Sequence, residues 1–343
     1  MEKIANQLIT WYKGKKRDLP WRKNRSPYRV WISEIILQQT KVQQGKRYFN
    51  DFIQLFPDVN QLAMASQTEV LKAWEGLGYY SRARNLHATA KHISENLKGV
   101  FPTEHQEILQ LKGIGKYTAG AIMSFAWNKP YPAIDGNTIR VITRLFKIET
   151  AGHLTSTYKH IDSLIREMYL YSHPKELNEA IIELGALVCT PTNPQCTSCP
   201  LHGECIARQT GSIGQIPKTI SKRKPKERHL HFIIIKGINH TIYIEQRNKK
   251  DIWNGLYTPY LIEEELDEIS EKTLILNLAK EGIKPDTILK KENKIHKLTH
   301  QTLHIHIWET KTKSEHQNFI PMKEVQNYPT PKPFIDLFKK IEN

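Results

Sequence analysis

Apolar residues recur every three to four positions through the first 190 residues or so, and alternate with polar ones near the end of the chain. The first period is that of amphipathic helices, the second that of half-buried strands. Ile4, Leu8 and the Trp11–Tyr12 pair predict a helix over residues 2–13. The same period predicts helices over 48–56, 68–74, 83–97, 104–111, 117–127, 138–146, 158–170 and 175–188. In VWISEIILQQT, residues 30–40, Ile32, Ile35, Ile36 and Gln39 share one face, and Val30, Glu34, Leu37 and Gln38 another. From about 208 to 228 the apolar period stops and Gly, Pro and Lys take over, which reads as a basic linker. Beyond it, HFIIIKG and HTIYIEQR predict a hairpin around 237–239, and Leu303, Ile305 and Ile307 alternate with His304 and His306. Helices over 272–280 and 333–341 complete this part. The expected organisation is a helical domain over 1–207, a linker over 208–228 and an α+β domain over 229–343.

A chain of 343 residues is long enough for two cores. Lys and Arg total 50 against 35 acids, a formal charge of +15, and the excess is spread along the chain rather than gathered in a tail. That distribution suits a surface facing a polyanion such as nucleic acid. No apolar run approaches a membrane span, and residues 1–10 lack the apolar core of a secretory signal. A cytoplasmic, nucleoid-associated monomer is expected. The four cysteines all fall between 189 and 205, which points to a metal or cluster site in a reducing compartment rather than to a disulfide framework.

Five stretches carry candidate chemistry. In LKGIGKYT, Gly113 and Gly115 permit a tight turn before the helix over 117–127, and Lys116 adds a cation there. Such a turn offers unpaired N–H groups to a phosphate, although an ordinary turn between helices uses the same glycines. Asp135-Gly136-Asn137 precedes another helix, so Asp135 or Asn137 reads as an N-cap, or as a carboxylate held ionised by the helix dipole. Glu34 lies among apolar neighbours; closed off from water it would donate a proton near neutrality, whereas exposed it is an ordinary surface acid. Arg17, Leu19, Trp21 and Arg22 form a turn that either tucks onto the core or walls a pocket with a stacking surface and cations. Gly76-Leu77-Gly78-Tyr79-Tyr80, followed by Arg82 and Arg84, suits a loop that pushes an aromatic ring into a base stack, with core packing expected for one of the two tyrosines.

The cysteine spacing, Cys189-x6-Cys196-x2-Cys199-x5-Cys205, admits zinc or an iron–sulfur cluster. His296, His300, His304 and His306 suggest a second metal site; alternation would put the last three on one face, but no supporting carboxylate is apparent nearby.

Taken in order, SEIILQQT, GLGYY, the GIGK turn with the following Asp135, and the 6-2-5 cysteine spacing resemble the endonuclease III superfamily of DNA glycosylases, and within it the adenine-specific family. The resemblance covers nearly the whole chain. It implies a mainly α helix-hairpin-helix glycosylase domain (hairpin over 104–127) with a [4Fe–4S] cluster loop over 189–205, followed by an α+β Nudix-like domain that recognises the lesion. It implies base excision repair: a glycosidase removing adenine opposite 8-oxoguanine or guanine in double-stranded DNA. Glu34 would protonate the flipped adenine at N7, and Asp135 would stabilise the oxocarbenium-like sugar, with Tyr117 and Asn137 holding it. Bifunctional relatives carry a lysine nucleophile where Tyr117 stands, so a monofunctional enzyme is implied.

Arg17, Leu19, Trp21, Arg22 and Glu179 would line the adenine pocket. Tyr79 would wedge beside the lesion with Gln39 as a second intercalating residue, and Arg82, Arg84, Gly113, Gly115 and Lys116 would meet DNA. Cys189, Cys196, Cys199 and Cys205 would bind the cluster. Leu298-Thr299-His300 stands where the family reads 8-oxoguanine with Phe-Ser-His, keeping the hydroxyl and losing the ring. The metal carboxylates of Nudix hydrolases are absent, so the second domain is expected to recognise without hydrolysing. Two alternatives stay open on the sequence: a pyrimidine-lesion glycosylase with lyase activity, and a non-catalytic, redox-sensing cluster protein that binds DNA.

Overall fold

A computed structural model describes residues 1–151, 154–218, 224–264 and 269–342. Met1–Met64 with Asn85–Ser221 form one compact unit, and Ala65–Arg84 with Lys222–Asn343 form the other. The first unit holds α1 (Glu2–Lys15), α2 (Pro27–Leu37), α3 (Val42–Leu55) and α4 (Val59–Met64). In the second, α5 (Gln67–Ala73) precedes α6 (Ser81–Asn96), which runs on into the first. The first unit continues with α7 (His105–Gln110), α8 (Lys116–Trp127), α9 (Gly136–Leu145), α10 (Thr155–Met168), α11 (Pro174–Leu187) and α12 (Ile206–Gln209).

Helix α2 is apolar on nearly every side because it runs through the core: Tyr28 and every residue from Val30 to Ile36 are buried. Ser26 caps it by accepting from the Arg29 N–H, and Pro27 occupies a first-turn position where its missing N–H costs nothing. The helix stops at Leu37, and Gln39 follows at φ +58°. Gln39 therefore does not share the Ile32/Ile35/Ile36 face as the periodicity suggested. A second cluster packs Leu8 and Tyr12 of α1 against Val141 and Ile142 of α9, Ile161 and Ile165 of α10, and Leu177, Ile181 and Leu184 of α11. Cys189, Cys199 and Cys205 lie at its border.

The second unit is built on a sheet of β1 (Lys226–Lys236), β2 (Thr241–Tyr243), β5 (Tyr260–Glu264), β6 (Leu289–Lys297), β7 (Gln301–Lys311) and β8 (Phe319–Pro321). The order is β6-β7-β1-β2-β8, with β5 also paired to β1; β3 (Glu245–Gln246) and β4 (Tyr257–Thr258) pair separately. Ile233 and Ile235 pack with Leu274 and Leu278 of α13 (Glu271–Lys280). On the alternate face Phe232 meets Phe334 of α14 (Lys332–Glu342) at 4.5 Å. The sheet thus carries a helix on each side.

Three features depart from the sequence pattern. Strand β1 begins at Lys226, inside the expected linker, whose residues 219–223 lie outside the described ones. The rest of that stretch is not structureless, since it holds the end of α12 and a 3-10 turn, Ile213–Gln215. Strand β6 was not anticipated: LKKENKIHK has no apolar alternation because most of it is exposed at the sheet edge, where lysines are common. The histidines also group differently. His300 lies in the β6–β7 turn, whereas His304 and His306 stack on His229 and His231 of β1, with ring centres 4.6 and 4.5 Å apart. Among the described residues no three His, Cys, Asp or Glu side chains are placed to share a metal ion.

Candidate active site

A cavity of about 650 Å³ opens in the first unit and is lined by α2, the Arg17–Arg22 turn, the start of α8, the start of α9 and one side of α11. Glu34, Asp135, Tyr117 and Asn137 all line it, as do Arg17, Leu19, Trp21, Arg22, Gln39 and Glu179.

Glu34 is only 6% exposed, midway along the buried α2. Burial pushes its carboxyl up to about 7, because the charged form loses its hydration; the nearby negative charges of Asp135 and Glu179 act in the same direction. Two influences oppose this: a hydrogen bond donated by the Tyr117 hydroxyl to Oε2, and the positive charge of Arg22. Tyr117, the second residue of α8, is itself pushed well above the ordinary tyrosine range by burial and by Glu34 and Asp135, so it stays a neutral donor.

Asp135 is the N-cap of α9, and its Oδ1 accepts from the Thr138 N–H at 2.7 Å. Oδ2 accepts from Asn137 Nδ2 at 2.6 Å. These are bonds that a carboxylate can take and a carboxylic acid would weaken. Asn137 is fixed in turn by Arg140, whose Nη2 donates to Asn137 Oδ1 at 2.8 Å while Nε donates to the Cys189 carbonyl at 2.6 Å. The start of α9 lies close against α11 because position 185 is glycine: a Cβ there would fall 2.6 Å from the Asn137 Cβ. Asp135 thus caps α9 through one oxygen and bonds Asn137 through the other, while its side chain lines the cavity.

Across the cavity, α11 presents Glu179 and Glu183 one turn apart, both buried. Glu183 accepts from the Arg17 backbone N–H at 2.9 Å, from Arg17 Nε at 2.8 Å and Nη2 at 2.9 Å, and from Arg22 Nη2 at 3.0 Å. These donors outweigh burial and hold its carboxyl down at about 2. Glu179 accepts from Arg25 Nη1 at 2.8 Å and from the Tyr12 hydroxyl at 2.8 Å, with Arg22 Nε 3.3 Å away. Leu19 and Trp21 are buried, as the core-packing reading of that turn has it, yet both still face the cavity.

The glycine turn lies outside the cavity lining. Gly113 takes φ +82°, Gly115 is the N-cap of α8, and exposed Lys116 lies 5.5 Å from the centre of the Tyr158 ring. Within the second unit, a cavity of about 810 Å³ is lined by Gly76–Ser81, Arg84, Lys250–Asn254 and His296–His300. Tyr79 is 44% exposed at φ +48°, and its hydroxyl is hydrogen-bonded to the Thr299 hydroxyl; Tyr80 is buried. The Arg82 guanidinium stands 5.6 Å from the Tyr79 ring centre and 5.2 Å from that of Trp74, and Arg84 donates to the Asn254 carbonyl at 2.7 Å. Leu298, Thr299 and His300 form the β6–β7 turn of this cavity. The four cysteines line one small cavity with Arg144, which donates to the Thr190 carbonyl at 2.8 Å and the Pro191 carbonyl at 3.2 Å.

Residues 32–169 match the model of the HhH-GPD superfamily of base excision DNA repair proteins, and residues 231–340 match the NUDIX domain. An adenine DNA glycosylase of Buchnera aphidicola from Acyrthosiphon pisum is 36% identical over 308 residues, covering 88% of this chain and 85% of that protein. The chain belongs to the adenine DNA glycosylase family. The Homo sapiens adenine DNA glycosylase is 40% identical over 215 residues, 60% of this chain and 39% of that longer protein. Among solved structures, a thermostable thymine-DNA glycosylase superposes with TM-score 0.55 at 26% identity, over 60% of this chain and 95% of that one. An endonuclease III–DNA complex, at TM-score 0.50 and 20% identity over 61% and 94% of the two chains, shares the fold.

The family supplies an expectation for the cysteines. Four thiols around one cavity are a donor set that fits a multi-iron cluster taking one thiolate per iron. The cavity also holds residues that the sequence reading missed. Glu183 had a signal: two like charges one turn apart on an otherwise apolar helix are unfavourable unless cations meet them. Arg25 had none, since it reaches Glu179 only through the tertiary fold, as does Tyr12 behind the cavity wall.

Proposed function

We propose that this chain is a monofunctional adenine DNA glycosylase acting on duplexes that hold adenine opposite 8-oxoguanine or guanine. The observation that carries the proposal is that Glu34, held protonated up to about 7, and Asp135, bonded as an anion, line one cavity large enough for a flipped base. Breaking the N-glycosidic bond leaves negative charge on the departing base and positive charge on the sugar, so an acid on one side and an anion on the other answer both needs. Adenine is flipped out of the stack to reach them. Glu34 delivers its proton to N7, Asp135 stabilises the oxocarbenium-like sugar, and Tyr117 and Asn137 keep the two carboxyls oriented.

Tyr79 and Gln39 suit the role of wedges. Both hold the left-handed backbone conformation, a strained arrangement for residues with side chains that is often found at functional loops. Thr299, already bonded to Tyr79, would supply the donor to the partner base, with Leu298 and His300 beside it. Arg82, Arg84, Gly113, Gly115 and Lys116 would meet the backbone of the duplex. Cys189, Cys196, Cys199 and Cys205 would hold a [4Fe–4S] cluster, which when bound ties the loop after α11 to the fold.

No lysine lines the cavity among the described residues, which supports hydrolysis without a Schiff base. Single-turnover release of adenine from duplexes with A opposite 8-oxoguanine, G, C or T tests the proposal. Release confined to the first two supports it. Binding without release from any duplex, or efficient borohydride cross-linking to abasic DNA, overturns it.

A further inference from the structure

The 183 side chain has no exposed surface, touches neither Glu34 nor Asp135 by any hydrogen bond, and still spends both its oxygens on the cavity's arginines. We propose that Glu183 is a positioning residue of this active site. It fixes the Arg17–Arg22 turn as one wall of the base pocket, and together with Glu179 it offsets the charge of Arg22 that bears on the general acid. This rests on the function proposed above.

The geometry gives the argument two parts. Arg17 is gripped three times by one carboxylate, through its backbone N–H, Nε and Nη2, so the start of the turn cannot rotate away from α11. Arg22 is shared, with Nη2 on Glu183 and Nε near Glu179, while Nη1 donates to the Arg17 carbonyl at 2.9 Å and closes the turn on itself. Arg25, Glu179, Arg22, Glu183 and Arg17 therefore alternate in sign along one wall.

The wall carries three cations and two anions. Removing the Glu183 charge would leave three cations against one anion beside a neutral acid. The groups that act on Glu34 are the Tyr117 hydroxyl from α8, Asp135 before α9, Glu179 from α11 and Arg22 from the turn. Arg22 is the cation among them, and Glu183 and Glu179 together offset it. An excess positive charge favours the ionised form of Glu34, and it also opposes positive charge growing on the sugar.

The test is the pH profile of single-turnover adenine release for Glu183→Gln. Its alkaline limb is expected to fall about one pH unit below that of the wild type, and release at pH 7.5 to slow about eightfold, with recovery on acidification. Duplex affinity is expected to stay within about threefold. Because a buried position can fail to accept the amide, Arg22→Gln/Glu183→Gln is measured beside it: removing Glu183 together with the cation that acts on Glu34 is expected to return the limb towards its wild-type pH, even though the turn is looser. A limb that stays put in both variants, or release slowed equally at every pH, overturns the inference and leaves Glu183 a purely structural anchor. Wild-type protein in the same assay separates the two claims. If it releases no adenine, the function itself fails; if it does and the limb is unmoved, only the role of Glu183 fails.

Discussion

The Tyr117 hydroxyl donates to Glu34 Oε2, joining the first turn of α8 to the middle of α2 across 83 positions of sequence. This one bond adjusts the acid. Burial drives Glu34 towards its protonated form, while Tyr117 holds it back by favouring the carboxylate. The carboxyl therefore lies near 7 rather than far above it, close to where a general acid works best.

Adenine release is expected to fall as pH rises through about 7, the point at which Glu34 loses its proton. Tyr117→Phe removes the bond that favours the carboxylate, so the alkaline limb should move to higher pH. A pH series of single-turnover rates for both proteins checks the direction; a limb moving downward in the variant would contradict this account of the acid.

Glu34→Gln is expected to retain mismatch binding and to lose release by about a hundredfold or more, the usual contribution of general acid catalysis. Near-wild-type release in that variant would remove Glu34 from the role. The same substitution should affect stability with a definite sign. A carboxyl whose folded value is raised from 4.5 to about 7 binds more protons folded than unfolded, so stability declines between those values. Above pH 7 the deficit amounts to about 3 kcal/mol, and the glutamine variant should recover part of it there and none below pH 4. Thermal melts at pH 4 and pH 8 give the comparison.

Gly185→Ala should impair release while leaving the acid in place. The added methyl would fall 2.6 Å from the Asn137 Cβ, so the Asp135–Asn137 turn has to move. Overpacking of this kind costs about 1–3 kcal/mol, and a displacement of the anion should slow release more than tenfold. Equal rates for the variant and the wild type would show that the turn tolerates the shift.

Tyr79→Phe and Thr299→Ala each remove one partner of a hydroxyl pair within the second unit. Each is expected to weaken binding to A:8-oxoguanine duplexes by about three- to tenfold, the usual worth of one hydrogen bond. Together they should do little more than either alone. Additive losses in that double-mutant cycle would mean that the two hydroxyls act separately.

Iron and sulfide analysis of the purified chain should find about four of each, and Cys199→Ser should lower both. Zinc in place of iron would overturn the assignment of the cysteines.

The amphipathic periods of the first 190 residues, the change to strand alternation near 230 and the cysteine spacing were all legible because they are local. A helix stripe or a ligand spacing is written within a few turns of chain. So too was the residue type at Glu34, Tyr117 and Asp135, which a resemblance could carry across position by position.

Burial was not legible, nor anything that depends on it. By pattern alone Glu34 on α2 reads as a surface acid, and only the packing around it raises its carboxyl to about 7. Glu179 reads as a surface charge until Arg22, Arg25 and Tyr12 arrive from more than 150 positions away. The polar edge strand β6 and the parallel pairing of β1 with β7 were likewise hidden, because an exposed strand needs no apolar face and a partner strand leaves no mark on sequence. The sequence determined which groups this protein has and which elements carry them. The tertiary structure alone decided which of those groups lose water and which meet an opposite charge, because desolvation and Coulomb attraction depend on distance in space.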